Sequence, residues 1–110
     1  MHMVVFITVG GDAEADRIGT ALVEGKLAAC VNVIGPIDSV YRWRGTVEKA
    51  EEYLLVVKTV QERLEELTEA VMRLHSYSLP EIIALRIEGG SAPYLRWLEE
   101  GSTGSKKGKG

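Results

Sequence analysis

The residues of this chain able to do chemistry are few and widely spaced. One cysteine, Cys30, and two histidines, His2 and His75, are its metal-ligating nitrogen and sulfur donors. Cys30 opens an apolar, β-rich run, where a free cysteine acts first as a small buried hydrophobe and second as a thiol ligand. His75 closes a helix-like segment. There it can cap carbonyls and answer the helix dipole, or hold copper or zinc through an imidazole nitrogen. Met1-His2-Met3 offers soft donors at a chain end, and three such residues most simply have no function. No Cys/His pair has ligand spacing, so a strong metal site has to assemble from distant residues or from several subunits.

The carboxylates form a second group. Glu48 and Glu52 share one face of a strand and Glu51 takes the other, while Glu81 follows a proline. A solvated edge is the plain reading; an acidic rim near Lys58 is the functional one. Lys58 ends an apolar strand, so burial there requires a partner such as Glu81 or a bound anion. Tyr41, Trp43 and Tyr77 read as interface anchors. Two histidines and one cysteine build no Ser/His/Asp, Cys/His or HExxH arrangement, and the chain reads as a non-enzyme.

The elements that must position these residues follow from pattern. Met3 to Val9 is an apolar, β-branched run, a buried central strand. Gly10-Gly11 then leads to Asp12, a good helix N-cap, and Ala15, Ile18 and Leu22 mark one buried helical face to about Lys26. The glycine turn lacks the spacing of a phosphate loop, and Asp12 would repel an anion. Cys30 to Thr59 reads as a long β-hairpin turning at Arg44-Gly45, interrupted at Gly35-Pro36. Leu64, Leu67, Val71 and Leu74 define a second helix over Gln61 to His75, with Glu69 and Arg73 placed for an ion pair. Ile82 to Ile87 is a fourth strand, and Ser91 caps a last helix from Ala92 to Glu99. The order β-α-β-β-α-β plus a helix predicts an α+β, ferredoxin-like fold.

One domain over residues 1–100 accounts for the 110-residue chain, with 101–110 a flexible Gly/Ser/Lys tail. Net charge is −3; without Lys106, Lys107 and Lys109 the count is 10 basic against 16 acidic residues, or −6. An acidic body speaks against a nucleic-acid surface. No apolar stretch approaches the roughly 20 residues of a membrane span, and no secretion signal is visible. A single cysteine fits a reducing compartment. A one-sided ferredoxin-like sheet would expose Val4-Val5-Phe6-Ile7, Leu54-Leu55-Val56-Val57 and Ile82-Ile83-Ala84-Leu85 on its bare face. That predicts a homo-oligomer packed sheet to sheet.

The sequence also resembles a known family. Lys26-Leu27-Ala28-Ala29-Cys30-Val31-Asn32, Ser39-Val40-Tyr41-x-Trp43-x-Gly45 and Lys58-Thr59, with Glu52 and Leu54 between them, are similar to the CutA family of divalent-cation tolerance proteins. So are His75-x-Tyr77, Pro80-Glu81-Ile82, Gly90, Tyr94-Leu95 and Trp97-Leu98. The resemblance implies a homotrimer of PII-like architecture in which hairpin arms cross subunit boundaries. It implies a cytoplasmic protein of copper and divalent-metal tolerance, with copper binding in some members. Under it, His75 and Cys30 are the metal candidates. Tyr41, Trp43, Glu51, Lys58, Tyr77 and Glu81 are the intersubunit cleft or interface candidates. Where members carry His-Pro-Tyr-Glu-x-Pro-Glu, this chain has Ser76 and Ser78. Some members carry a first-strand cysteine and a second histidine, where Ile7 and Leu74 stand here. A PII-like signalling or scaffold module, taking a small anion or protein partner at the clefts, is the alternative expectation.

Overall fold

The computed structural model describes residues 1–103. Four strands form one antiparallel sheet: β1 (His2–Val9), β2 (Cys30–Trp43), β3 (Thr46–Val60) and β4 (Ile82–Arg86). Helices α1 (Asp12–Glu24), α2 (Leu64–Leu74) and α3 (Ala92–Thr103) complete it, with one 3-10 turn (Gln61–Arg63) leading into α2. The spatial order β2-β3-β1-β4 is the split βαβ arrangement the sequence predicts.

Strand alternation sorts the sheet into two faces. Met3, Val5, Ile7 and Val9 of β1, with Leu55 and Val57 of β3, are buried under α1 and α2. Ala15, Ile18 and Leu22 of α1 and Leu67 and Val71 of α2 meet them there. Each fully buried Ile, Leu or Val contributes about 1.5–3 kcal/mol, so this layer holds the fold together. Gly19 lets α1 close on β2, since a Cβ there would stand 3.2 Å from Val31 Cγ1.

The second face carries Val4, Phe6 and Thr8 of β1 and Glu52, Leu54, Val56 and Lys58 of β3. It is not bare, as the sequence reading supposed. Helix α3 lies over one end of it, burying Leu98 completely and joining β1 through a 2.7 Å contact from His2 Nε2 to Glu99 Oε2. Ile34, Ile83 and Leu85 remain uncovered at 50%, 52% and 51% exposure.

Four local expectations change. Gly11, in extended geometry, precedes α1 as its cap, and Asp12 makes no capping side-chain bond. Among the described residues Arg63 pairs with Glu66 at 2.6 Å, while Glu69 and Arg73 form no ion pair. Helix α3 runs through Gly101, Ser102 and Thr103, so the expected tail boundary at 101 is wrong. Ser102 is buried, and its hydroxyl donates to the Leu98 carbonyl at 2.7 Å. The rest of the expected tail lies outside the described residues. β4 stops at Arg86, one residue early.

The hairpin is as long as expected, 14 and 15 residues. Arg44 and Gly45 take φ of 53° and 82°, the two left-handed residues of a hairpin turn whose twist matches the strands. At Gly35-Pro36 the register slips between Ile34 and Ile37.

Candidate functional site

The second face ends in an open groove of about 710 Å³, at the end of the sheet away from α3. Its floor is Thr8 of β1 and Glu52 of β3. One wall is the hairpin, through Ser39, Val40, Tyr41 and Trp43, and the other is the α2–β4 segment from Tyr77 to Glu81. Tyr41 and Trp43 of the hairpin therefore meet Tyr77 and Glu81, more than 30 positions further along the chain, in one place.

The α2–β4 segment is locked by its polar bonds. His75 is 8% exposed. Its Nε2 lies 2.7 Å from the Thr8 carbonyl, which only accepts, so this nitrogen carries the hydrogen. Its Nδ1 accepts from the Tyr77 amide at 3.0 Å. Glu14, on α1, receives the Ser76 amide at 2.8 Å and the Ser76 hydroxyl at 3.0 Å. Burial pushes the Glu14 carboxyl up, but the Ser76 donors, the nearby His75 ring and the Gly10 amide outweigh it and hold it below its ordinary value.

Tyr77 completes the groove floor. Its hydroxyl donates to Glu52 Oε2 at 2.8 Å, and Glu52 is only 8% exposed. Burial, then the Glu52 hydrogen bond and the charges of Glu52 and Glu14, push the Tyr77 phenol up to about 12. The phenol is therefore a donor at any physiological pH. At the outer end the Arg44 guanidinium stands 5.5 Å from the Trp43 ring centroid, within cation–π range.

The other candidates lie elsewhere. Glu51 pairs with Asp38 in register, which places it on the opposite side of the hairpin from Glu52. Lys58 sits opposite Cys30 and hydrogen-bonds Asn32 Oδ1. It does not meet Glu81, the partner expected for it, because Lys58 lies in the row of Cys30 and Val4, whereas Glu81 lines the groove at the other end of the face. Cys30 is half-buried; its thiol is 3.8 Å from Asn32 Oδ1, and burial together with this neighbouring thiol pushes the Tyr94 phenol of α3 up.

Cys30 and His75 do not come together. Lys58, opposite Cys30, pairs with Val4, whereas His75 bonds Thr8, four residues along β1 and about 13 Å away. Both His75 nitrogens are committed, so neither ligates a metal without losing one of its bonds. Among the described residues no three His, Cys, Asp or Glu converge on a point.

Glu52 on the groove floor and Glu14, which holds Ser76 from α1, are the residues that sequence reasoning undervalued. A carboxylate on the same strand face as Leu54 and Val56 was the available signal for Glu52. Nothing marked Glu14, whose partners sit 62 residues away.

A split-βαβ subunit with a long hairpin, a third helix across the sheet and an aromatic–carboxylate groove is the class of protein these observations define. Residues 3–101 match the family model described as CutA1 divalent ion tolerance protein, and the chain belongs to that family. It is 48% identical over 100 residues to the divalent-cation tolerance protein CutA of Thermus thermophilus, covering 91% of this chain and 97% of that one. It is 47% identical over 97 residues to the chloroplastic protein CutA of Arabidopsis thaliana, covering 88% of this chain but only 53% of the plant protein. The solved structure of the divalent cation tolerance protein from Thermus thermophilus superposes with a TM-score of 0.91 at 47% identity, covering 93% of this chain and 99% of that one.

Proposed function

We propose that this chain acts in divalent-cation tolerance as a cytoplasmic homotrimer that binds copper or another divalent metal between its subunits, without catalysing a reaction. The observation that carries the assembly is that Ile34 on one edge strand and Ile83 and Leu85 on the other stay half-exposed on the sheet face that α3 covers only in part. Water-facing β-branched and leucine side chains on one sheet face are what a second copy would bury. Family membership supports the metal. Of the two donors considered, Cys30 is the freer, because its sulfur makes only weak bonds while both His75 nitrogens are engaged. Thiolate suits Cu(I).

Sedimentation velocity at micromolar concentration, with a Cu(I) titration on the same samples, tests this reading. A trimer mass and saturable binding that Cys30→Ala removes is the expected result. A stable monomer, or binding indifferent to both Cys30→Ala and His75→Ala, overturns it.

The groove favours a second reading, a PII-like module that takes a ligand in a cleft. Its volume lies within the range of small-molecule sites, and its polar groups converge on an aromatic-walled floor.

A further inference from the structure

The groove's lining selects the sign of what it binds. Among its described lining residues are three aromatic rings (Tyr41, Trp43 and Tyr77) and two carboxylates (Glu52 and Glu81), with no Lys, Arg or His. Glu52 is more than nine-tenths buried, yet the Tyr77 hydroxyl is its one hydrogen-bond donor among the described residues, and no cation lies within ion-pair distance. A buried carboxylate with a single neutral donor is under-compensated, and a cation entering the groove would supply what the chain does not. Aromatic faces attract the same sign of charge, and Trp43 already holds the Arg44 guanidinium on its ring.

The shape then separates organic from metal cations. A hard divalent ion asks for six or more oxygen ligands at short range, and no three acidic, histidine or cysteine residues converge here among those described. An alkylammonium fits better. Its nitrogen hydrogens bond the free Glu52 oxygen, while its methylenes lie against Val40, Leu79 and the aromatic rings. Resting on the second reading above, that the groove is a ligand site, we propose that it binds an aliphatic primary amine in its ammonium form, with Glu52 the charge partner. A small anion, by contrast, would meet two carboxylates and no cation among the lining residues.

Isothermal titration of the full chain with n-hexylammonium chloride, and in parallel with sodium hexanoate, tests the proposal. Saturable amine binding is expected, with none for hexanoate. Glu52→Gln is expected to weaken the amine at least tenfold, with circular dichroism confirming the fold. Trp43→Ala is the second variant, because Trp43 is exposed at the hairpin end and its loss leaves the core intact; severalfold weakening is expected. Amine binding unchanged by either variant, hexanoate binding in place of the amine, or a lysine or arginine of a neighbouring copy found on Glu52 would each overturn the proposal. The assembly mass and Cu(I) titration of the same samples separate the two readings. A copper-binding trimer blind to the amine sinks only this inference, whereas an amine-binding monomer sinks only the trimer.

Discussion

The Tyr77 hydroxyl and the Glu52 carboxylate, 25 positions apart in the chain, stand 2.8 Å from each other at the floor of the groove. The contact ties the α2–β4 segment to the centre of β3 and helps to raise the phenol above its ordinary value. A phenol that donates to a buried carboxylate gives up its proton last. Tyr77 is therefore expected to titrate near pH 12 rather than at its ordinary 10.0. Ultraviolet absorbance of the phenolates reads this directly: Tyr77→Phe should remove a late step from the titration and leave the early ones in place. Because the folded value is raised, this contribution to stability is complete below about pH 10 and is lost as pH climbs toward 12. Tyr77→Phe also strips Glu52 of its donor at a cost of about 1–3 kcal/mol, measurable by urea unfolding at neutral pH.

Glu14 predicts the opposite pH behaviour. Its folded value is depressed below 4.5, so its stabilising effect is present above that pH and disappears as pH falls through the lower folded value. Glu14→Gln should lower stability at pH 7 by about 1.5–3 kcal/mol, the range for hydrogen bonds to a charged group. The gap between wild type and variant should narrow steadily below pH 4.5. An unchanged gap in strong acid would mean that the carboxylate charge has no part in holding Ser76.

Gly35 is required by what lies beneath it. A Cβ at that position would overlap the Tyr53 ring. Gly35→Ala is therefore expected to destabilise by about 1–3 kcal/mol, the usual range for overpacking. The effect should be strongly non-additive with Tyr53→Ala in a double-mutant cycle. Additive losses would place the glycine requirement in the backbone instead.

Helix α3 is expected to behave as part of the core. Leu98→Ala should cost about 2–5 kcal/mol, as for any fully buried leucine. Gly101→Val should also destabilise, since even a Cβ at Gly101 would come within 2.8 Å of Ala29 Cβ. Melting temperatures unchanged by both substitutions would make α3 a loose appendage.

Most of the fold was legible because it rests on periodicity. The apolar, β-branched run from Met3 to Val9 and the spacing of Ala15, Ile18 and Leu22 leave few arrangements open. The turn at Arg44-Gly45 was legible for its glycine. What sequence could not give was the placement of α3. Its apolar residues say that something is buried, but not that the something is the sheet's second face rather than another chain. The groove was half-legible. Tyr41, Trp43, Tyr77 and Glu81 stood out by type, whereas the floor formed by Thr8 and Glu52 depends on register between strands far apart in the chain. The partners of His75 were hidden for the same reason: the Thr8 carbonyl and the Tyr77 amide are backbone groups with no signature in side-chain identity.

The position of β1 bears on how the chain is made. β1 is synthesised first, yet it lies between β3 and β4, both of which follow it. From β1 to β4 is roughly 80 residues, which at about 5–20 residues per second takes roughly 4–16 seconds of translation. For that interval the most apolar strand of the protein leaves the ribosome with one or both of its hydrogen-bonding edges unpaired. The nascent first strand is thus the segment through which a translation pause or a chaperone shortage would turn into aggregation.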